Sequence, residues 1–222
     1  MTSPGDLLFD LDGTLTDNYA GIAASIRHAL ARLDAPAPDD AELRQYVGPP
    51  LRATFATLLA TDEREVVERA IAHYRERFAD IGWRENTAYP GIEEALGRLR
   101  AAGARLFVCT AKPQIYAERI VAHFGFDAHF DAVYGADLDG HYDDKAKLMA
   151  HVVAREGLTT ARVVMIGDRD HDLRAARANG IRAVGVLWGY GSAEELALAD
   201  AIVATPAELP GVLLGLTAQS SA

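Results

Sequence analysis

The sequence predicts an α/β fold in which a doubly wound, mostly parallel, Rossmann-like sheet carries an inserted helical domain. Two observations lead to this class. From residue 89 onwards, short β-branched strands alternate with helices, which is typical of a parallel sheet with helices on both faces. Between the first strand and residue 84 the hydrophobic period is helical. We therefore expect a core domain of residues 1–17 and 85–222, interrupted by a helical domain of residues 18–84.

The first strand and the helical insert are predicted as follows. Residues 6–11 contain a short apolar run that predicts a buried strand. The helical segments that follow cover residues 18–33, 39–47, 51–60 and 62–78. In the first of them, Ile22, Ile26 and Leu30 recur on one helix face, so this segment is amphipathic. The turn at residues 89–91, Tyr-Pro-Gly, ends the helical region.

The remainder of the chain supplies the rest of the predicted sheet. Further strands are expected at residues 104–110, 132–135, 162–168, 182–188 and 201–203. Helices are expected at residues 92–103, 114–125, 146–157 and 172–180, with a short one near 192–198 and a last one from Pro206. Ser192 and Glu195 have the spacing of a capping box at the start of the short helix.

Composition and charge narrow the possible partners. The chain has 222 residues, of which 50% are hydrophobic, and a formal net charge of −10. This negative charge argues against a nucleic-acid or anionic-membrane partner. One cysteine, Cys109, allows no internal disulfide, and we find no signal peptide or apolar run of the length of a membrane span. We expect a cytoplasmic protein, either a monomer or a homodimer.

Charged and hydroxyl side chains follow three of the predicted strands. They are Asp10, Asp12 and Thr14 after the first strand, Thr110 and Lys112 around the end of the strand at 104–110, and Asp168 and Asp172 at the end of the strand at 162–168. Lys145 stands at the start of a predicted helix. Each feature alone is typical of a turn or a helix cap. Ligands of a doubly wound sheet bind beyond the carboxyl ends of its strands, so we expect these side chains to share one crevice.

A divalent cation explains why several carboxylates would meet there. Mg²⁺ prefers oxygen ligands and is held by one or two carboxylates, water and substrate phosphate. An aspartate beside a phosphate can act as a nucleophile through an aspartyl-phosphate. A second carboxylate, here Asp12, can protonate the leaving oxygen and then activate water. The groups expected to hold the phosphate oxygens are Thr14, Thr110, Lys145 and the turn amides.

At these residues the sequence resembles a known family. The motifs DLDGTLTD, VCTAKP, Lys145 and GDRDHD follow the order of the four motifs of haloacid-dehalogenase-superfamily (HAD) hydrolases. The resemblance covers nearly the whole chain and includes the helical insert, of the C1 cap type, and the loop LWGYGS. Within the superfamily the sequence most resembles phosphoglycolate-phosphatase-like and nucleotidase-like members. The resemblance implies a HAD core and a helical cap that closes over it.

The resemblance also implies roles for several of these motif residues, but not for Arg169, which occupies a variable position. Asp10 matches the nucleophile and a Mg²⁺ ligand. Asp12 matches the general acid/base, with its backbone carbonyl on the metal. Thr110 matches the phosphate-binding hydroxyl, and Lys145 matches the lysine that bridges the nucleophile and the phosphate. Asp168 matches the remaining metal ligand. The supporting residues are Gly13, Thr14 and Asp172.

Five further residues are assigned less directly. Lys147 competes for the lysine role, but Lys145 is preferred because it lies nearer the predicted turn at residues 137–144 and Lys147 should point to another helix face. His171 is expected to face solvent or to support a metal ligand rather than to be a catalyst. Substrate specificity should come from the helical insert, with Tyr19 and Arg52 as candidates, together with Lys112 on the core.

We therefore expect a Mg²⁺-dependent phosphatase acting on a small phosphorylated metabolite, either phosphoglycolate or a nucleoside 5′-monophosphate. A dehalogenase or a phosphonatase is disfavoured because Asp12 is present. A sugar phosphomutase keeps both aspartates, and only Thr14 favours the phosphatase over it. Two alternatives of another class stay open: a phosphoacceptor signalling domain and a catalytically silent interaction protein.

Overall fold

The structure is a computed structural model that describes residues 5–138 and 142–218. Its chain forms two compact units, one made of the residues up to Thr16 together with Ala88 onwards, and the other of Asp17–Thr87. The assignment of these units as a core domain and a cap domain stays a prediction. Among the described residues, none of the helices has both the length and the apolar character needed to cross a membrane.

The discontinuous unit is built on a six-stranded sheet. Its strands are β1 (Asp6–Phe9), β4 (Arg105–Pro113), β5 (Ala132–Ala136), β6 (Val163–Gly167), β7 (Arg182–Val186) and β8 (Ala201–Val203). Their order is β5-β4-β1-β6-β7-β8, and every pairing in it is parallel. The predicted doubly wound sheet is thus confirmed. Because β1 lies between β4 and β6, the three strand ends that carry the candidate site residues are neighbours.

Helices flank this sheet, and its strands are therefore buried on both faces. They are α5 (Ile92–Ala101), α6 (Gln114–His123), α7 (Lys145–Arg155), α8 (Asp170–Ala178) and α9 (Leu209–Ala218). Leu8 of β1 packs in one cluster with Leu148 of α7 and Leu173 of α8. Its neighbours Leu7 and Phe9 are also buried, and strand alternation turns them to the opposite face. This double burial explains why the strand sequences are continuously apolar.

The helical unit contains the four helical segments that the sequence predicts. They are α1 (Tyr19–Ala31), α2 (Asp40–Leu43), α3 (Leu51–Leu58) and α4 (Arg64–Asp80). The rings of Tyr74 and Phe78 stack at 5.3 Å within its apolar interior. Arg77 donates two hydrogen bonds to the Glu85 carboxylate, at 2.7 and 2.8 Å. Short strands β2 (Thr16–Asp17) and β3 (Thr87–Ala88) pair where the chain passes between the units.

Several predicted element boundaries are wrong. β1 ends at Phe9 rather than residue 11, because the chain turns at once into the loop that carries the first aspartates. β4 continues to Pro113 through an irregularity in its pairing with β5, so Lys112 lies within the strand and not after it, and Thr110 is not its last residue. The short helix near residue 195 is a 3₁₀ segment, Glu195–Leu198. Of the turn at residues 137–144, positions 139–141 lie outside the described residues.

Candidate active site

The loop after β1 brings its aspartates to the sheet edge by a tight turn. The carbonyl of Leu11 accepts hydrogen bonds from the backbone N–H groups of Leu15 and Thr16, at 2.9 and 3.0 Å. Gly13 has φ +85°, in the left-handed region that glycine tolerates. A Cβ atom at Gly13 would lie 2.2 Å from Oδ2 of Asp168. Glycine is therefore needed here, both for the turn and for the close approach of a carboxylate from β6.

Lys145 joins two buried carboxylates. Its Nζ lies 2.8 Å from Oδ1 of Asp10 and donates a hydrogen bond to Oδ1 of Asp172. α7 begins at Lys145 because Asp144 caps it, with its side chain accepting from the Ala146 N–H at 2.9 Å. Lys147 on the same helix is exposed. Of the two candidate lysines, Lys145 is the one that reaches the nucleophile candidate.

This ion-pair group sets the charge states around Asp10. Burial alone would raise the pKa of Asp10, but Lys145, His171 and the Thr110 hydroxyl together lower it below its usual range. Burial likewise opposes the charge of Lys145, yet Asp10 and Asp172 hold the pKa of its ammonium above the usual range. These neighbours favour the ionised form of Asp10, which is the form that its predicted role as nucleophile requires.

Asp168 is completely buried beside the same group. Its Oδ1 accepts from the Thr14 hydroxyl at 3.3 Å, and its Oδ2 accepts from the Tyr190 backbone N–H at 2.8 Å. Burial, with the nearby charges of Asp172 and Asp10, raises the pKa of Asp168 to about 8. A cation at this position would favour the ionised carboxylate, so the donor set fits a hard metal ion such as Mg²⁺.

Thr110 is a residue of β4, and Asp12 is bound by a lysine of the same strand. The Lys112 ammonium donates a hydrogen bond to Oδ2 of Asp12, and only 5% and 12% of these two side chains are exposed. Thr110 is buried, and its Oγ1 accepts from the Lys112 backbone N–H at 3.3 Å. Lys112, predicted as a specificity residue, therefore contacts the general acid/base candidate directly.

A second grouping of potential metal ligands involves α8. Asp10, His171 and Asp172 each offer a ligand atom, and these atoms lie within 4.8 Å of one another. His171 Nε2 is 3.7 Å from Oδ1 of Asp172, whose Oδ2 accepts from the Arg169 N–H at 3.1 Å. The metal set predicted from the sequence, Asp10, Asp12 and Asp168, stays a prediction.

Two predicted specificity residues belong to the helical unit. The Tyr19 hydroxyl donates to Oδ1 of Asp40 at 2.6 Å, and the Arg44 guanidinium lies 4.5 Å from the centre of the Tyr19 ring. Arg52 Nε donates to Oε1 of Glu68 at 2.7 Å. Both side chains are engaged within their own unit, and their role in specificity stays a prediction.

The sequence reasoning missed two contributors to the site. The Tyr190 backbone N–H has no side-chain signature, and only the two glycines around it, Gly189 and Gly191, mark a loop that approaches other backbone closely. Trp188 is the second, because its indole Nε1 donates to the carbonyl of Thr14 at 3.0 Å.

The fold and the site together define a class. A parallel sheet that brings carboxylates, a lysine and a threonine to the adjacent ends of β1, β4 and β6 is a phosphoryl-handling α/β enzyme. The chain belongs to the haloacid dehalogenase-like hydrolase family, whose model matches residues 7–186.

Relatives and solved structures agree with this family. The chain is 47% identical over 191 residues to a 5′-nucleotidase of Pseudomonas aeruginosa. The aligned region covers 86% of this chain and 86% of that protein. It is 42% identical over 210 residues to the tyrosine-protein kinase PtkA of Mycobacterium tuberculosis, covering 93% of this chain and 71% of that protein. The crystal structure of a predicted phosphatase from Clostridium acetobutylicum matches with a TM-score of 0.91 and 36% identity, over 96% of this chain and 100% of the other. The expected family is confirmed, and the chain is a phosphatase.

Proposed function

We propose that this phosphatase is a Mg²⁺-dependent phosphomonoester hydrolase that works through an aspartyl-phosphate on Asp10. The observation that carries the proposal is the Lys145 ammonium between Asp10 and Asp172, with the buried Asp168 beside them. A structural ion pair would need one partner for one lysine. Here the ammonium lies against two buried carboxylates, and a third, Asp168, is buried near them without contact to the lysine, an arrangement suited to a bound cation and a phosphate.

In the first step an oxygen of Asp10 attacks phosphorus, and the bond between phosphorus and the ester oxygen breaks. Asp12 gives its proton to the departing oxygen, which leaves as an alcohol. In the second step Asp12 takes a proton from water, and this water attacks the phosphorus of the aspartyl-phosphate. Inorganic phosphate leaves and the Asp10 carboxylate is regenerated. Lys112 holds Asp12 in place through both steps.

The phosphate oxygens are held by donors on β4 and α7. The Thr110 hydroxyl and the Lys145 ammonium both reach Asp10, so they lie where the phosphoryl group is transferred. Donors fixed in a buried site stabilise the developing charge without reorganising. Thr14 contributes less directly, because its hydroxyl is engaged with Asp168.

Mg²⁺ would be held by carboxylate oxygens of Asp10 and Asp168 and by the backbone carbonyl of Asp12. Asp172 is less suited as a ligand, because it already accepts from the Lys145 ammonium, whose positive charge would oppose a cation there. When bound, the ion supplies positive charge that offsets the charge on the phosphoryl oxygens. Asp168 supports this assignment because it is buried and its charge is not balanced by a side-chain cation in direct contact among the described residues.

The proposed substrate is a small phosphorylated metabolite, with a nucleoside 5′-monophosphate ahead of phosphoglycolate. The similarity to the Pseudomonas 5′-nucleotidase supports this order. The helical unit, with Tyr19 and Arg52, is proposed to act as the cap that selects the substrate, together with Lys112. We expect a cytoplasmic monomer or homodimer that binds neither nucleic acid nor membranes.

A second candidate activity is transfer of the phosphoryl group to a protein tyrosine. The similarity to PtkA favours it, since the same Asp10 chemistry could deliver phosphate to an acceptor other than water. The acceptor distinguishes the two candidates: hydrolysis releases inorganic phosphate, whereas transfer leaves the phosphoryl group on a tyrosine of the acceptor protein.

The test is a panel of phosphate esters, including nucleoside 5′-monophosphates, phosphoglycolate and a hexose 1-phosphate, with Mg²⁺ and with a chelator. Substrates are ranked by kcat/KM. We expect phosphate release that requires Mg²⁺ and is lost in Asp10→Asn. Isomerisation of the hexose phosphate would favour a mutase, and no turnover of any ester would favour a silent interaction protein. Chelator-resistant release, or activity retained in Asp10→Asn, would contradict the proposal.

A further inference from the structure

The loop after β7, residues 187–195, closes a hydrogen-bond network around Asp168. The Tyr190 N–H donates to one carboxylate oxygen of Asp168, and the Thr14 hydroxyl donates to the other. The Trp188 indole in turn donates to the carbonyl of Thr14. The loops after β1, β6 and β7 are therefore joined at one buried carboxylate.

Two glycines let this loop lie directly on the site. A Cβ atom at Gly189 would lie 2.4 Å from the carbonyl oxygen of Gly13 and 2.4 Å from Cβ of Asp168. A Cβ atom at Gly191 would lie 1.9 Å from the backbone oxygen of Asp168. Two of these three atoms are backbone oxygens and the third is a Cβ, and none of them can rotate away. Residues 189–191 of the loop therefore lie directly against Asp168.

An ion pair fastens the far end of the loop. Arg169 Nε lies 3.2 Å from Oε2 of Glu195, and Arg169 Nη2 donates to Oε1 at 3.3 Å. Only 13% of the Arg169 side chain is exposed. Glu195 is itself held by Ser192, since the two residues exchange hydrogen bonds between side chain and backbone at 3.3 Å. The residue next to Asp168 therefore binds the end of the loop that encloses Asp168.

We propose that Arg169 and Glu195 are positioning residues: their ion pair holds the 187–195 loop against Asp168, so that the Tyr190 N–H fixes the carboxylate orientation and sets the affinity for the divalent cation. The inference rests on the proposed function, because it takes Asp168 as a metal ligand. It gives a role to Arg169, a motif position that the family resemblance leaves unassigned.

The expected change in Mg²⁺ affinity follows from the role of the Arg169–Glu195 ion pair in orienting a metal ligand. Groups that hydrogen-bond to a metal ligand typically change metal affinity about 10–100-fold when they are removed. Glu195→Gln keeps the length of the side chain and an oxygen for the Ser192 N–H, but it removes the charge that binds Arg169. We expect the Mg²⁺ dissociation constant of the full chain to rise about tenfold. Phosphatase kcat at saturating Mg²⁺ should change less than about twofold.

The experiment is a calorimetric titration of Mg²⁺ into the full-length wild type, Glu195→Gln, Arg169→Gln and the double variant. Because both single changes break one contact, the double variant should bind Mg²⁺ no more weakly than the weaker single variant. Arg174→Ala is the matched control: it removes another ion pair of α8, to Asp170 at 2.9 Å, on a side chain that is 71% exposed. It should leave the dissociation constant unchanged.

The outcomes separate this inference from the proposed function. If the wild type binds no Mg²⁺, the proposed function fails and the inference fails with it. If the wild type binds Mg²⁺ and hydrolyses esters while Glu195→Gln binds Mg²⁺ equally well, only the inference is overturned. A lower melting temperature of Glu195→Gln with unchanged Mg²⁺ affinity also overturns it, because the pair would then be purely structural.

Discussion

The charge balance of the site depends on one residue, Lys145. Its side chain is 4% exposed and lies against carboxylates that are 6% and 0% exposed, those of Asp10 and Asp172. Burying charges costs free energy, and their mutual attraction offsets this cost only while each has its partner. Removing the ammonium would leave two carboxylates facing each other without a counter-charge.

We predict that Lys145→Met lowers the free energy of unfolding by about 3–5 kcal/mol, the usual cost of breaking a buried ion pair. Phosphatase activity should also be lost, because the Asp10 carboxylate would no longer be held ionised. Urea denaturation at pH 7 measures the first effect. Lys147→Met on the same helix, at an exposed position, should change stability by less than about 0.5 kcal/mol. Equal effects of the two substitutions would contradict this account.

At the scale of single residues, the sequence alone was enough to find the charged and hydroxyl side chains of the site, because their residue types indicate their chemistry. Lys145 could be chosen over Lys147 because helix position separates their directions. The contact between Lys112 and Asp12 could not be predicted, since it depends on β4 extending past Thr110. The Tyr190 N–H was equally hidden, because every residue but proline has one.

Among the secondary-structure elements, α1 makes an unusually close contact within the helical unit. A Cβ atom at Gly21 would lie 1.9 Å from the backbone oxygen of Gly82, in the 3₁₀ segment that follows α4. The Gly21 N–H also donates to the carbonyl of Glu85 at 3.2 Å. The first turn of α1 can approach the end of this unit only because residue 21 has no side chain.

Gly21→Ala is therefore predicted to lower the free energy of unfolding of the helical unit by about 1–3 kcal/mol, the usual cost of overpacking. The fluorescence of Trp83 reports on this unit, whereas that of Trp188 reports on the other. Gly97→Ala in α5 is the control, because the nearest atom to its Cβ is 3.8 Å away. It should be neutral or stabilising, since alanine has the higher helix propensity. Destabilisation by Gly97→Ala but not by Gly21→Ala would refute the close-contact argument.

Element types were predictable and several boundaries were not. Periodicity identified the strands of the sheet and the four helices of the insert, because burial on one or two faces leaves a clear apolar pattern. The extension of β4 follows from its pairing with β5, in which Pro113 pairs with Ala136. That pairing is a long-range contact with no local signal, so a reading of residues 104–113 alone stops at Thr110.

Across the whole molecule, the acidic site links folding to cation binding. The formal net charge is −10, and buried Asp168 is unfavourable when ionised without a cation. A ligand that binds only the folded state stabilises it, by about 2.7 kcal/mol at 100 times its dissociation constant. Mg²⁺ should therefore stabilise this protein against unfolding.

We predict that Mg²⁺ raises the melting temperature of the wild type and not that of Asp168→Asn. Without Mg²⁺ the variant should be at least as stable as the wild type at pH 8. Burial raises the pKa of Asp168 above the ordinary carboxyl value, so as pH rises this carboxyl ionises in the unfolded state before it ionises in the folded state. The free energy of unfolding of the wild type therefore falls as pH rises towards 8. Thermal melts at pH 5 and pH 8, with Mg²⁺ or chelator, measure both effects. A Mg²⁺ shift that persists in Asp168→Asn would place the cation elsewhere.

Trapping the phosphorylated protein tests the proposed aspartyl-phosphate on Asp10 without intermediate steps. The full chain is mixed with a ³²P-labelled ester that it hydrolyses, quenched in acid and digested. We expect a hydroxylamine-sensitive label on the peptide that contains Asp10, and no label in Asp10→Asn. Turnover with no labelled protein, or a label that persists in Asp10→Asn, would contradict it.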